Sequence, residues 1–271
     1  MKKFAVIGNP IDHSLSPMLH NFIFKQLNLN AIYDKIYVPD SDLKTIINKI
    51  RSGELDGMNV TIPYKSKIMK YLDEVNPRAE AIGAINVVMV QNKTVIGNNT
   101  DWYGFTLALN HNKINVNQKK VVIIGAGGVS RGVIFALKQV GATEIHIFNR
   151  TFEKIASLSD EIIHPHEIDE LKNVIQKDSI IINCTSVGMN SLDSPIDLNL
   201  LNKNQTVIDT IYTPLKTKLI LNSEDIGADI MPGLDMFIYQ GLASLDLWFG
   251  ESISNKVNFD DLKYHIESNL C

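Results

Sequence analysis

Two cysteines in 271 residues, Cys184 and Cys271, lie far apart in the sequence and form no C-x-x-C, so neither a disulfide framework nor a structural zinc site is expected. That scarcity argues for a reducing compartment. Excess positive charge is missing too: the net charge is −4, which leaves no footprint for nucleic acid or an anionic membrane. No apolar run reaches the length needed to cross a bilayer. The start, Met1 to Gly8, carries two lysines before an apolar stretch, but Gly8-Asn9-Pro10 and Asp12 cut that stretch short. It reads as a first strand and not as a secretory leader. Internal repeats and low-complexity tracts are lacking. His164-Pro165-His166 is the only close histidine pair; with proline between them and no cysteine nearby, it reads as a loop, and no metal is expected. What remains, 45% hydrophobic and 21% charged, has the composition of a soluble globular protein, with a cytoplasmic location expected.

What is present is an alternation of strand-like and helix-like segments. Residues 4–7, 31–38, 57–61, 85–90 and 95–97 read as strands, with Asn92-Lys93 as a turn. Residues 17–27, 41–51, 64–72 and 102–111 read as helices. After a polar connector at 112–117, strands are predicted at 121–124, 144–148, 180–184, 206–209 and 229–231, and helices at 234–249 and 259–267. Such alternation predicts an α/β fold with mostly parallel sheets covered by helices. A boundary is placed near Trp102, giving segments 1–101, 102–233 and 234–271, the last packing back on the first, with a cleft between the two domains.

The most specific local pattern runs from Val121 to Arg150. An apolar strand leads into Gly125-Ala126-Gly127-Gly128-Val129-Ser130, a helix follows to about Val140, Gly141 ends it, and a second strand ends at Asn149-Arg150-Thr151. In a dinucleotide site the first glycine makes the tight turn and the second lets the backbone approach a pyrophosphate at the helix N-terminus. The third glycine position holds Ser130. An NAD site usually ends its second strand with an acid for the ribose 2′-hydroxyl. Arg150 stands there instead, and a guanidinium binds a 2′-phosphate through a charged fork. The pattern therefore predicts NADP(H).

Other polar clusters are ambiguous one by one. Ser14-Leu15-Ser16-Pro17 reads as an N-cap and first helical residue, or as two hydroxyls set to hold a carboxylate. Lys65, in Asn59-Val60-Thr61-Ile62-Pro63-Tyr64-Lys65, is either a solvated lysine or one reaching over the carboxyl ends of strands, where open α/β sheets bind ligands. Asn86 and Asp101 have the alternative readings of turn residue and N-cap. Asn183-Cys184-Thr185 suits the wall of a nicotinamide pocket as well as an ordinary loop. Tyr212 lies beyond a strand, and Gln240 is a polar residue in an apolar helical run that needs a partner if buried.

Taken together and in order, these motifs resemble the shikimate dehydrogenases over essentially the whole chain. The resemblance rests on Ser14-Leu15-Ser16, residues 59–65, Gly83-Ala84-Ile85-Asn86, Asn99-Thr100-Asp101, residues 125–131, Asn149-Arg150-Thr151 and Gln240-Gly241. It implies an N-terminal substrate domain, a Rossmann-type NADP-binding domain, and reversible reduction of 3-dehydroshikimate to shikimate with NADPH on the route to chorismate and the aromatic amino acids. On that resemblance Ser14 and Ser16, helped by Tyr212, would hold the substrate carboxylate. Thr61, Asn86 and Gln240 would bond the ring hydroxyls, and Lys65 and Asp101 would flank the reacting oxygen as the catalytic pair. Gly125, Ala126, Gly127, Gly128 and Val129 would carry the pyrophosphate. Asn149, Arg150, Thr151 and Lys154 would surround the 2′-phosphate, and Thr210 and Gly233 would touch the cofactor. Met231-Pro232 departs from what relatives often have before that glycine. The expected partner is a small-molecule substrate, with a homodimer as the candidate assembly. Rival readings are a quinate/shikimate dehydrogenase using NAD(H), a non-catalytic dinucleotide-binding regulator, and a folate-type dehydrogenase; the serines, Arg150, and the Lys65–Asp101 pair speak against them.

Overall fold

Burial of β-branched runs and amphipathic faces produces two α/β units. The computed structural model describes residues 1–270; Cys271 lies outside them. One unit comprises residues 1–104 with the chain from 238 onward, and the second comprises residues 105–237. No helix among the described residues is long and apolar enough to cross a membrane.

The first unit opens with β1 (Lys2–Gly8), α1 (Ser16–Gln26), β2 (Ala31–Tyr37), α2 (Leu43–Arg51), β3 (Gly57–Val60), β4 (Glu74–Val75), α3 (Pro77–Ile82), β5 (Val87–Gln91), β6 (Thr94–Asn98) and α4 (Asp101–His111), which continues into the second unit. The strand order is β2-β1-β3-β5-β6-β4, parallel except where β5 runs against β3 and β6. The β5–β6 hairpin turns at Asn92 and Lys93, both left-handed at φ 52° and 69°, the twist that a two-residue hairpin favours. On α2, Leu43, Ile46, Ile47 and Ile50 are buried at helical spacing against Ile7, Met58, Val60 and Val88 of the sheet.

The first unit departs from the sequence expectations in several places. The helix expected at 64–72 is reduced to a five-residue 3-10 turn at Lys67–Tyr71. Asp73 exchanges hydrogen bonds with Val95 through its backbone N–H (3.0 Å) and its carboxylate (2.9 Å), which draws the chain into extended pairing and ends the turn. Helix α3 was not foreseen, although Asn76 caps it by accepting from Arg78 N at 3.0 Å, Pro77 opens it and Gly83 closes it at φ 71°. Ser16 is the first residue of α1 and not its N-cap; Leu15 takes that position without a side-chain bond.

The second unit contains β7 (Lys120–Ile124), α5 (Gly128–Gln139), β8 (Glu144–Asn149), β9 (Ile163–Glu167), α6 (Leu171–Val174), β10 (Ile180–Asn183), β11 (Thr206–Asp209), α7 (Lys218–Asp225) and β12 (Asp229–Met231). Helix α8 (Leu234–Phe249) carries the chain back to the first unit, and α9 (Phe259–Ser268) follows there. The six strands of the second unit are all parallel in the order β12-β11-β10-β7-β8-β9. This is the doubly wound order of two mononucleotide halves, with the switch point between β7 and β10. Apolar side chains cover both faces of the sheet, Val122, Ile124, Phe148, Ile181 and Val207 on one and Ile123, Ile147, Ile182 and Ile208 on the other.

His164-Pro165-His166 is not a loop. It lies in β9, the edge strand, where the missing N–H of Pro165 is tolerated. His166 Nε2 meets His146 Nδ1 at 2.8 Å, and His146 Nε2 meets Glu144 Oε1 at 2.7 Å. Among the described residues no group of three or more histidine, cysteine or acidic side chains is arranged to hold a metal.

Candidate active site

In the first unit, polar residues that are far apart in sequence meet beyond the strand ends. Lys65, in the turn after β3, points its Nζ at Asp101 Oδ2, 2.6 Å away. Their side chains are only 8% and 5% exposed, so each charge depends on the other. Asp101 begins α4, yet its carboxylate does not cap that helix. Asn99 does so, its Oδ1 accepting from Asp101 N (2.9 Å) and Trp102 N (3.4 Å), which leaves Asp101's oxygens for Lys65 and Asn86.

Asn86, at the entry to β5, is buried and fully engaged. Its Oδ1 accepts from Thr100 N at 2.7 Å; its Nδ2 donates to Thr100 Oγ1 and Asp101 Oδ1, both at 2.9 Å, and lies 3.3 Å from Gln240 Oε1. The structure thus brings Lys65, Asn86, Asp101 and Gln240 into one cluster. Ser14 and Ser16 are buried beside each other, Ser14 Oγ lying 3.2 Å from Ser16 Oγ and accepting from Ser16 N at 3.3 Å. Thr61 is half-buried just past β3, its backbone bonded to Ile7 O and to Tyr64 N. Tyr212 belongs to the second unit, stacked on Phe237 with ring centroids 4.3 Å apart.

Sequence reasoning passed over the residues that orient this cluster. Asn59 donates to Asn86 O and Ser244 Oγ, both at 3.0 Å, and Ser244 lies 3.2 Å from Thr100 Oγ1. Asn59 and Thr100 lie within the segments 59–65 and 99–101 that carry the family resemblance. Ser244 had one signal, its place one helical turn after Gln240 on the same face of α8.

In the second unit, Gly125 ends β7 at φ +106°, a left-handed conformation, and a Cβ there would lie 2.9 Å from the backbone of Cys184. Only glycine satisfies both conditions. A Cβ at Gly127 would meet open space, so the backbone at the start of the twelve-residue α5 is approachable. Ser130, in the third glycine position, is buried and donates to Gly127 O at 2.6 Å, which holds the turn in shape. The exposed start of α5 offers free N–H groups and a positive dipole end, the chemistry a pyrophosphate needs. Ala126, Gly128 and Val129 are half-buried around it.

At the end of β8, Asn149 Nδ2 donates to Thr151 O at 2.8 Å, shaping a turn on which Arg150, Thr151 and Lys154 are exposed. Thr210 donates through both N and Oγ1 to Asn183 O at 3.0 Å, and Gly233 N donates to Ile211 O at 3.2 Å. Asp209, beside them, is buried; burial pushes its carboxyl above the usual range, opposed by bonds from Thr217, Ile211 N and Asn183. Burial also raises the Cys184 thiol, which keeps it protonated and unreactive.

Comparison with known proteins bears on both units. Residues 6–88 match the family model described as the shikimate dehydrogenase substrate binding domain, and residues 106–205 match that of shikimate / quinate 5-dehydrogenase. The shikimate dehydrogenase (NADP(+)) of Staphylococcus haemolyticus is 37% identical over 269 residues, covering 99% of this chain and 98% of that one. A crystal structure of a shikimate dehydrogenase in complex with NADP+ superimposes with a TM-score of 0.89 at 35% identity, covering 100% of this chain and 96% of the other. The shikimate 5-dehydrogenase of Thermus thermophilus, in complex with NADP(H) and shikimate, gives 0.85 at 30% identity, with both chains covered completely.

Proposed function

The chain belongs to the shikimate dehydrogenase family, and from that membership we propose that it interconverts 3-dehydroshikimate and shikimate with NADP(H), a step toward the aromatic amino acids. The observation that carries this reading is the Lys65–Asp101 pair, buried, 2.6 Å apart and bonded to Asn86. Bound NADPH supplies the hydride. The protein's task is the oxygen: reduction leaves charge there, and a positioned donor must meet it. Lys65 delivers the proton through its ammonium, and Asp101 holds that ammonium in line. In the reverse direction the same pair receives the proton from the substrate hydroxyl.

The remaining roles follow the chemistry of each group. Ser14 and Ser16, with Tyr212, bind the substrate carboxylate. Thr61, Asn86 and Gln240 bond the ring hydroxyls. The backbone from Gly125 through Ala126, Gly127 and Gly128 to Val129 takes the pyrophosphate. Asn149, Arg150, Thr151 and Lys154 enclose the 2′-phosphate, whose charge suits two cations where an NAD enzyme has an acid. Thr210 and Gly233 meet the cofactor through their backbone. On this reading residues 1–101 and 234–271 serve the substrate and residues 102–233 serve NADP(H), in a cytoplasmic homodimer.

The test is to follow reduction of NADP+ and NAD+ by the purified protein, first with shikimate and then with quinate. Turnover restricted to shikimate with NADP+ supports the proposal in full. Comparable rates with quinate or NAD+ would replace it by the dual-specificity reading, and cofactor binding without turnover of either acid would overturn it.

A further inference from the structure

Resting on the functional reading above, we infer that Ser244 and Thr100 form a one-way hydrogen-bond relay that positions the Lys65–Asp101 pair from inside helix α8. Counting hydrogens sets its direction. The carbonyl of Asn86 can only accept, so the Asn59 atom facing it at 3.0 Å is the amide nitrogen, and that nitrogen also donates to Ser244 Oγ. The carbonyl of Gln240, 2.9 Å from Ser244 Oγ, takes the single hydrogen of that hydroxyl. Ser244 therefore has only acceptor capacity left for Thr100 Oγ1 at 3.2 Å, and Thr100 is the donor.

With its hydrogen directed to Ser244, Thr100 Oγ1 presents a lone pair to Asn86 Nδ2 at 2.9 Å. That bond, with Thr100 N on Asn86 Oδ1 at 2.7 Å, fixes which end of the Asn86 amide is which. The second amide hydrogen of Asn86 is then aimed at Asp101 Oδ1 at 2.9 Å, while Asp101 Oδ2 receives Lys65 at 2.6 Å. Ser244, Asn86, Thr100 and Asp101 are all buried, so water does not substitute for a missing link.

Removing the Ser244 hydroxyl leaves Thr100 with one nearby alternative acceptor, Asn86 Oδ1 at 3.3 Å. Turning there withdraws the lone pair from Asn86 Nδ2, loosens the amide and weakens its bond to Asp101. Ser244 and Thr100 are thus positioning residues, whose effect reaches the substrate only through Asn86 and Asp101.

The experiment compares Ser244→Ala and Thr100→Val with the wild type in shikimate oxidation. Ser223→Ala serves as the control: Ser223 is equally buried, and its hydroxyl makes the same back-bond, to Leu219 O at 2.7 Å, away from the cluster. The expected result is kcat lowered by about tenfold in both relay variants, with KM for shikimate and for NADP+ little changed. Ser223→Ala keeps the wild-type rate. Relay variants whose kcat matches that of an active wild type overturn this inference alone. A wild type inert on shikimate overturns the functional reading and the inference with it.

Discussion

Lys65 and Asp101 show how a buried ion pair becomes useful when one partner has further donors. Asp101 is held by Asn86 as well as by Lys65, so in the proposed mechanism the carboxylate keeps its place while the ammonium exchanges a proton. Replacing Lys65 with alanine is expected to lower kcat by about two to four orders of magnitude while changing KM for shikimate little, because the carboxylate and ring-hydroxyl contacts lie elsewhere. Steady-state kinetics decide it, and near-normal turnover in Lys65→Ala would remove the residue from the mechanism. Arg150→Ala is expected to weaken NADP+ by about 1.5–3 kcal/mol, roughly 10- to 150-fold, with NAD+ affinity nearly unchanged; titration of both cofactors into the variant measures it. At this scale the sequence was legible wherever a residue type is unusual for its position, as with Arg150 in place of an acid. Ser244 was not legible, because a serine within a helix is ordinary until Thr100 is found 3.2 Å away across 144 residues of chain.

The elements that bear strain or buried polarity make their own predictions. The β7–α5 turn requires Gly125: alanine there would place Cβ 2.9 Å from Cys184 at φ +106°. Gly125→Ala is expected to destabilise the second unit by about 1–3 kcal/mol and to weaken NADP+ binding together with thermal stability, both read in one thermal-shift series with and without cofactor. Helix α1 carries His20, buried and stacked on Tyr33 at 4.3 Å. Burial lowers its pKa from 6.5 to about 3, opposed by a bond to Asn59. The unfolded chain therefore binds a proton below pH 6.5 that the folded chain refuses. Its contribution is complete above pH 6.5 and is lost as pH falls toward 3, by up to about 1.4 kcal/mol per pH unit. Denaturation midpoints between about pH 7 and 4 should fall less steeply in His20→Phe, which keeps the stack but cannot protonate; parallel slopes would refute this origin. Most strands of both units could be foreseen from apolar periodicity, though not the two-residue β4. Strand β9 could not, since a His-Pro-His edge strand is stabilised by pairing with β8 and not by its own residues. Helix α3 was written in its Asn76-Pro77 start and Gly83 stop, but six residues are too short for periodicity to announce.

Over the whole molecule, the chain organises its two units differently. The second is continuous, residues 105–237, with its own six-stranded sheet and apolar interior. Expressed alone, this segment is expected to fold and bind NADP+ without turning over shikimate, since Lys65 and Asp101 lie outside it; calorimetry and a coupled assay test both halves of the statement. The first unit is discontinuous. Trp248, from α8, stacks on Phe4 at 4.6 Å and donates to Val88 O at 3.0 Å, so the far end of the chain closes the core begun by its first strand. During synthesis the second unit emerges from the ribosome entire while the first still lacks the helix that supplies Gln240, Ser244 and Trp248. On the roles proposed above, the nascent chain holds its dinucleotide half before its proton-transfer half is complete, and the emergence of α8 is what completes it.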